Sequence, residues 1–143
     1  MKKLVLLILV MGLSLVGCSQ DAPNSNNEIN LSTKERIYSK AWDGNPVMVK
    51  QKNSNGNYEL INEITDSEVV KEIIEALGNA NWQENIKLDI RPPDYKFTWN
   101  SYEHHVWLNE NGTLELIIVG QSNYVTLSEA ASEMVFEILT GKK

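Results

Sequence analysis

Two asparagine–glycine turns constrain this chain more than any other feature. Asn53-Ser54-Asn55-Gly56-Asn57 lies between residues 46–50 and 58–64, and Asn109-Glu110-Asn111-Gly112 lies between residues 103–109 and 113–119. Asn-Gly supplies the positive φ values that tight hairpin turns need, because glycine lacks the Cβ that would clash there. The flanking runs are short, rich in β-branched and aromatic residues, and bounded by turn formers, which is the pattern of strands. Each turn therefore closes an antiparallel hairpin. Residues 36–42 alternate loosely and precede the turn Asp43-Gly44-Asn45-Pro46, so the first hairpin is expected to complete a three-stranded meander. Arg91-Pro92-Pro93-Asp94 stiffens the approach to a further strand at 95–99, since proline lacks the donor that a central strand position needs. Residues 123–126 add a short strand.

Helical spacing appears twice. Thr65-Asp66-Ser67-Glu68 has the form of a capping box, and Val69, Val70, Ile73, Ile74 and Leu77 recur behind it at intervals of one helical face. Glu68, Lys71, Glu72 and Glu75 lie opposite, and Gly78 is placed to end the helix. The last helix starts from Ser128, or from Thr126 with Glu129. Ala131, Val135, Ile138 and Leu139 form its apolar stripe with Met134 beside it, and Gly141 closes it. Residues 79–89 are expected as a loop carrying Trp82. The order β-β-β-α-β-β-β-α predicts an α+β fold: an antiparallel sheet of about five to six strands with two amphipathic helices on one face.

The N-terminus carries an address. Lys2 and Lys3 precede an apolar run at 4–16, too short to cross a bilayer, which takes about 20 apolar residues. Leu15-Val16-Gly17-Cys18 has the form of a lipobox, so residues 1–17 are expected as a lipoprotein signal peptide and Cys18 as the lipidated residue. At about 0.8 kcal/mol per buried methylene, two acyl chains hold a protein on a membrane without a spanning helix. Residues 18–33, with Pro23 and many asparagines, lack the apolar content to fold and are expected as a tether reaching roughly 20 Å. Residues 34–143 are then a single extracytoplasmic domain. Removing the signal lowers Lys+Arg from 13 to 11 against 19 acidic residues, a net charge near −8. Such a domain repels nucleic acid and anionic headgroups. Cys18 is the only cysteine. Its use for lipid leaves no thiol for a disulfide, a nucleophile or a metal.

Pro92-Pro93-Asp94-Tyr95, the strand His105-Val106-Trp107-Leu108 and Tyr124-Val125-Thr126-Leu127-Ser128 resemble the small Bacillus-type lipoproteins of the YhfM-like kind. The resemblance runs from about residue 58 to about residue 141, with the lipobox in front. It implies one domain on the surface of a Gram-positive cell and brings no catalytic residue with it.

Groups able to carry chemistry are few. His104 and His105 are the two histidines, and as strand neighbours they point to opposite faces, which disfavours a shared metal. No cofactor motif, phosphate loop or metal-ligand spacing occurs. Gly120-Gln121-Ser122-Asn123 lacks the second glycine of a nucleophile elbow, so Ser122 is read as a turn residue. The aromatic content is more informative: four tryptophans and five tyrosines. Tyr95, Phe97 and Trp99 share one strand face and are expected in the core. Trp107 is expected on the opposite face, with Trp82, Arg91 and Asp94 completing a candidate binding surface. These features point to a non-catalytic module that binds an envelope protein or cell-wall component. The alternatives are a small hydrolase or transferase with His104 or His105 as base, and a solute- or metal-sensing lipoprotein.

Overall fold

The structure, a computed structural model, describes residues 32–85 and 91–142. The signal peptide, Cys18 and nearly all of the expected tether lie outside the described residues. The elements run α1 (Thr33–Tyr38), β1 (Val47–Lys52), β2 (Tyr58–Ile64), α2 (Ser67–Asn79), β3 (Gln83–Glu84), β4 (Tyr95–Trp99), β5 (Tyr102–Leu108), β6 (Leu114–Ile118), β7 (Asn123–Thr126) and α3 (Glu129–Thr140). The strands form one antiparallel sheet in the order β2-β1-β4-β5-β6-β7-β3. This is the expected α+β class, with seven strands and three helices among the described residues.

Both asparagine turns close hairpins. Gly56 and Gly112 take φ values of 84° and 83°, where a side chain would be strained. In each, the first asparagine organises the turn: the Asn53 carboxamide accepts the amides of Asn55 and Asn57, and Gly112 N–H reaches Asn109 O. The register then sets the faces. Val49, Phe97, His104 and Ile118 lie in one cross-strand row, and all four are buried. Lys50, Lys96, His105, Ile117 and Tyr124 form the adjacent row on the other face. The helices cover the first face with Val70, Ile73 and Leu77 of α2 and Val135 and Leu139 of α3. Each large apolar side chain so buried contributes about 1.5–3 kcal/mol.

Polar groups tie the layers together. Ser132 is fully buried, because its hydroxyl accepts Leu114 N–H at 2.9 Å and donates to Leu127 O at 3.4 Å. Asn62 of β2 donates to the terminal carbonyls of α3 at Ile138 and Leu139, groups with no partner inside the helix. Trp99 Nε1 is the one buried side-chain donor without a partner among the described residues.

Several local expectations are corrected. Residues 36–42 are not a strand. Ser32 and Glu35 form a reciprocal capping box that starts α1, and the consecutive residues Ile37 and Tyr38 are both buried, as a short helix end allows and an alternating strand does not. The meander is therefore a hairpin preceded by a helix. The cap of α2 is Asp66, not Thr65; its carboxylate accepts the amides of Glu68 and Val69. Gly78 lies inside α2 and does not end it. A Cβ there would stand 3.4 Å from Tyr38 Cβ, so its smallness lets α1 approach. The loop at 79–89 contains β3, which extends the sheet by pairing with β7. On β2, Val49 pairs with Asn62 and Lys50 with Leu60, leaving Ile61 as the extra residue of a bulge. A bulge on a sheet edge twists that edge away from pairing with other chains.

Candidate functional site: the open face of the sheet

The face without helices carries a basin of about 530 Å³ over β1, β4 and the turn that joins β4 to β5. Its wall is mixed: Asp43, Asn45, Lys50, Lys96, Asn100 and Glu103 supply polar groups, and Pro46, Met48 and Phe97 supply apolar surface. Lys50 and Lys96 are direct cross-strand partners. Like charges so placed cost stability, so the sheet tolerates them only with compensation. Lys96 finds it: its ammonium sits 4.2 Å over the Tyr58 ring centre and 3.7 Å from Glu103 Oε1. Lys50 has no carboxylate at ion-pair distance among the described residues. Glu103 Oε1 also accepts from His105 Nε2 at 2.6 Å, and this bond, aided by Lys96 and Lys50, holds the Glu103 carboxyl below the usual range. Tyr58 donates to Pro93 O at 2.7 Å, and burial, with Asp94 and Glu103 nearby, raises its pKa.

The basin's end wall is set by strained backbone. Asn100 and Ser101 join β4 to β5 with φ values of 45° and 69°, which is uncommon outside glycine. Asn100 is held there by its side chain, which accepts Asp43 N–H at 2.8 Å and donates to Ala41 O at 2.6 Å.

The four residues expected to share a binding surface do not do so. Arg91, Asp94 and Trp107 come together, whereas Trp82 lies on the helix side. Trp107 faces away from the core as expected, yet it is only 4% exposed. The 91–94 segment folds over it: its indole donates to Arg91 O at 2.8 Å, and Arg91 pairs with Asp94 at 3.0 Å. Asp94 in turn accepts Leu108 N–H at 3.0 Å and donates its own amide to Val106 O. Trp82 is 8% exposed, donates to Leu77 O at 2.7 Å and packs near Tyr38. Neither tryptophan offers an open stacking face. The Arg91–Asp94–Trp107 group is a clasp across the end of β5.

The histidines do point to opposite faces. His104 is fully buried, stacked on Phe97 with ring centres 4.4 Å apart. Its Nδ1 lies 2.9 Å from Tyr102 O, which only accepts, so Nδ1 donates and Nε2 accepts the Tyr38 hydroxyl at 2.8 Å. Burial lowers its pKa from 6.5 to about 4. A base needs a free lone pair within reach of a substrate, and His104 has neither free nitrogen nor cleft. His105 reaches the surface and is tied to Glu103. Ser122 is exposed in the turn after β6, and no group of three or more His, Cys, Asp or Glu side chains is placed to hold a metal among the described residues. No helix among them is long and apolar enough to cross a membrane.

The basin residues were not singled out from the sequence. Lys50 and Lys96 are individually ordinary outward strand residues, and only the pairing of β1 with β4 brings them side by side.

These features define a small α+β domain with an antiparallel sheet packed under helices on one face and open on the other. The chain belongs to the YhfM protein family, whose profile matches residues 43–143. No curated protein and no solved structure matches it.

Proposed function

We propose that this chain is a lipid-anchored, non-catalytic binding module that engages a polar component of the cell envelope through the open sheet face. The single observation that carries this is the basin, where Lys50 stands beside Lys96 with no carboxylate at ion-pair distance among the described residues, and amide, hydroxyl and carboxylate groups converge around it. Paired lysines on a sheet are retained at a cost in stability, and a ligand bearing negative charge and hydroxyl groups offsets that cost. Asp43 and Glu103 balance the two lysines within the lining, and with the domain's overall acidity this favours a small group that carries both charge and hydroxyls over an extended anionic polymer. The absence of a reaction signature in the sequence and the sealed state of His104 favour binding over acid–base chemistry. The lipobox-like Leu15-Val16-Gly17-Cys18 supports the anchor.

The test is photo-cross-linking on intact cells from a reactive residue at Ser101 on the basin rim. Wild type is expected to capture an envelope component that Lys50→Glu/Lys96→Glu does not. Equal capture by both removes the basin from the function. Labelled palmitate should enter wild type and not Cys18→Ala, and labelling of both would sink the anchor assignment.

A further inference from the structure

On the opposite side of the molecule, α2 and α3 pack side by side and leave a groove along their outer seam. Each carries its core stripe and, one position away, a second stripe of half-buried apolar residues. On α2 these are Val69 and Ala76; on α3 they are Ala131, Met134 and Ile138. Spacings of three, four and seven keep each set on one helical flank. Two cavities lie along this seam, about 460 Å³ at the Asp66 end and about 770 Å³ at the Ser128 end. Met134 lines both, so the two cavities adjoin there and together form a trough along the seam. With 13 residues in α2 and 12 in α3, the trough follows about 18 Å of helix, room for three turns of a third helix.

The trough has a sign. Glu63, Asp66, Glu72 and Glu137 line its Asp66 end, and no lysine or arginine lines either cavity. Alanines at 76, 80, 130 and 131 keep the other end low, which lets a backbone come close. Met134 at the junction is unbranched and adapts to the shape laid on it. A membrane surface is a poor match, because anionic headgroups meet carboxylates. A second copy is also a poor match, because its own trough and exposed helix faces bring further acid.

We infer that this trough is a second interface, which takes an amphipathic helix of a partner protein with a narrow apolar stripe flanked by lysine or arginine. The apolar stripe buries against Val69, Met134 and Ile138, and the flanking cations reach Glu72 and Glu137. This is helix-in-groove recognition, in which the apolar face supplies affinity and the charges set orientation and encounter rate. It is independent of the basin, which lies on the other face of the sheet.

The probe is a synthetic helical peptide of three turns or more with a Leu/Ala stripe and lysine flanks, titrated into the chain from residue 18 carrying Cys18→Ser. Amide chemical shifts report where it binds. Changes are expected to concentrate at residues 69–80 and 130–141, with the basin residues unmoved. Glu72→Lys/Glu137→Lys, both exposed and outside the core, should weaken binding by roughly tenfold or more, and added salt should weaken the parent complex. A glutamate-flanked peptide should not bind. The inference is overturned if that peptide binds as well, if the charge-reversed protein binds unchanged, or if shifts spread over the sheet face. Dimerisation through the trough on sedimentation, or binding to phosphatidylglycerol vesicles through the same residues, would assign it a different occupant and refute the partner helix.

Discussion

Lowering the pH from about 7.5 to about 5 asks His104 to take a proton that the folded core refuses. In the unfolded chain its pKa is near 6.5; in the fold, burial lowers it to about 4. The folded state therefore favours the neutral ring, and the unfolded state binds the extra proton. Stability is complete above pH 6.5, is lost progressively as pH falls toward 4, and falls no further on this account below that. The whole loss is about 3 kcal/mol, of which about 2 kcal/mol is present by pH 5. Against a typical domain stability of about 5–15 kcal/mol this is large. Glu103 and Glu35 do not blur the window: hydrogen bonds from His105 and from Ser32 hold these carboxyls low, so their contributions fade only below the ordinary carboxylate range. The assay is urea unfolding followed by tryptophan fluorescence at the two pH values. The midpoint should fall by about 1 M at the lower pH. His104→Gln keeps hydrogen-bonding capacity without a titrating ring; it should be less stable at pH 7.5 and show little further change at pH 5. An unchanged wild-type midpoint, or a glutamine variant that keeps the full pH dependence, refutes the assignment of the effect to this residue.

Tyr38→Phe should cost about 1–2 kcal/mol in chemical denaturation, because it leaves His104 Nε2 buried without its donor. Gly78→Ala should be neutral or stabilising by up to about 1 kcal/mol, since a Cβ meets Tyr38 at ordinary contact distance and helix propensity improves. Gly78→Leu should instead destabilise by roughly 1–3 kcal/mol by forcing α1 away, and calorimetry of the pair separates the two outcomes. Asp94→Ala should lower stability by about 2 kcal/mol and shift tryptophan emission to the red, as the clasp over Trp107 opens. An unshifted spectrum would show that the 91–94 segment stays in place without its carboxylate.

What could be read from the sequence was what local chemistry decides. The Asn-Gly turns, the alternation of Tyr95, Phe97 and Trp99, the Ser128 cap and the Gly141 terminus each depend on a few neighbouring residues, and each is found in the structure. The errors occur where distant parts of the chain decide. Thr65 and Asp66 are both good caps by residue type, and it is Asp66 whose carboxylate accepts the first amides of α2. Gly78 resembles a helix end, but it lies inside α2 where Tyr38 of α1 packs, with room for a Cβ and little more. The outward direction of Trp107 followed from alternation; its burial did not, because the cover comes from a segment 13 to 16 positions earlier. The basin is the clearest case. Its lysines belong to β1 and β4, strands separated in the chain by β2, α2 and β3, and nothing local states that they pair.

Helix α1 bears on where this domain begins. The family match starts at residue 43, after α1 has ended. Yet Ile37 and Tyr38 belong to the core, and Tyr38 touches Trp82, Trp99 and His104. A chain begun at residue 43 would lose the donor to His104 and the cover over two tryptophans, and would expose the flank of α2 that Gly78 leaves open. The buried histidine is tolerable only because the tyrosine reaches it, since a buried polar atom without a partner costs about 1–3 kcal/mol. The folded unit therefore includes α1 and its capping box at Ser32, about ten residues before the matched span. Ser32 and Thr33, expected as the last residues of the tether, instead cap and start a helix on which the core depends.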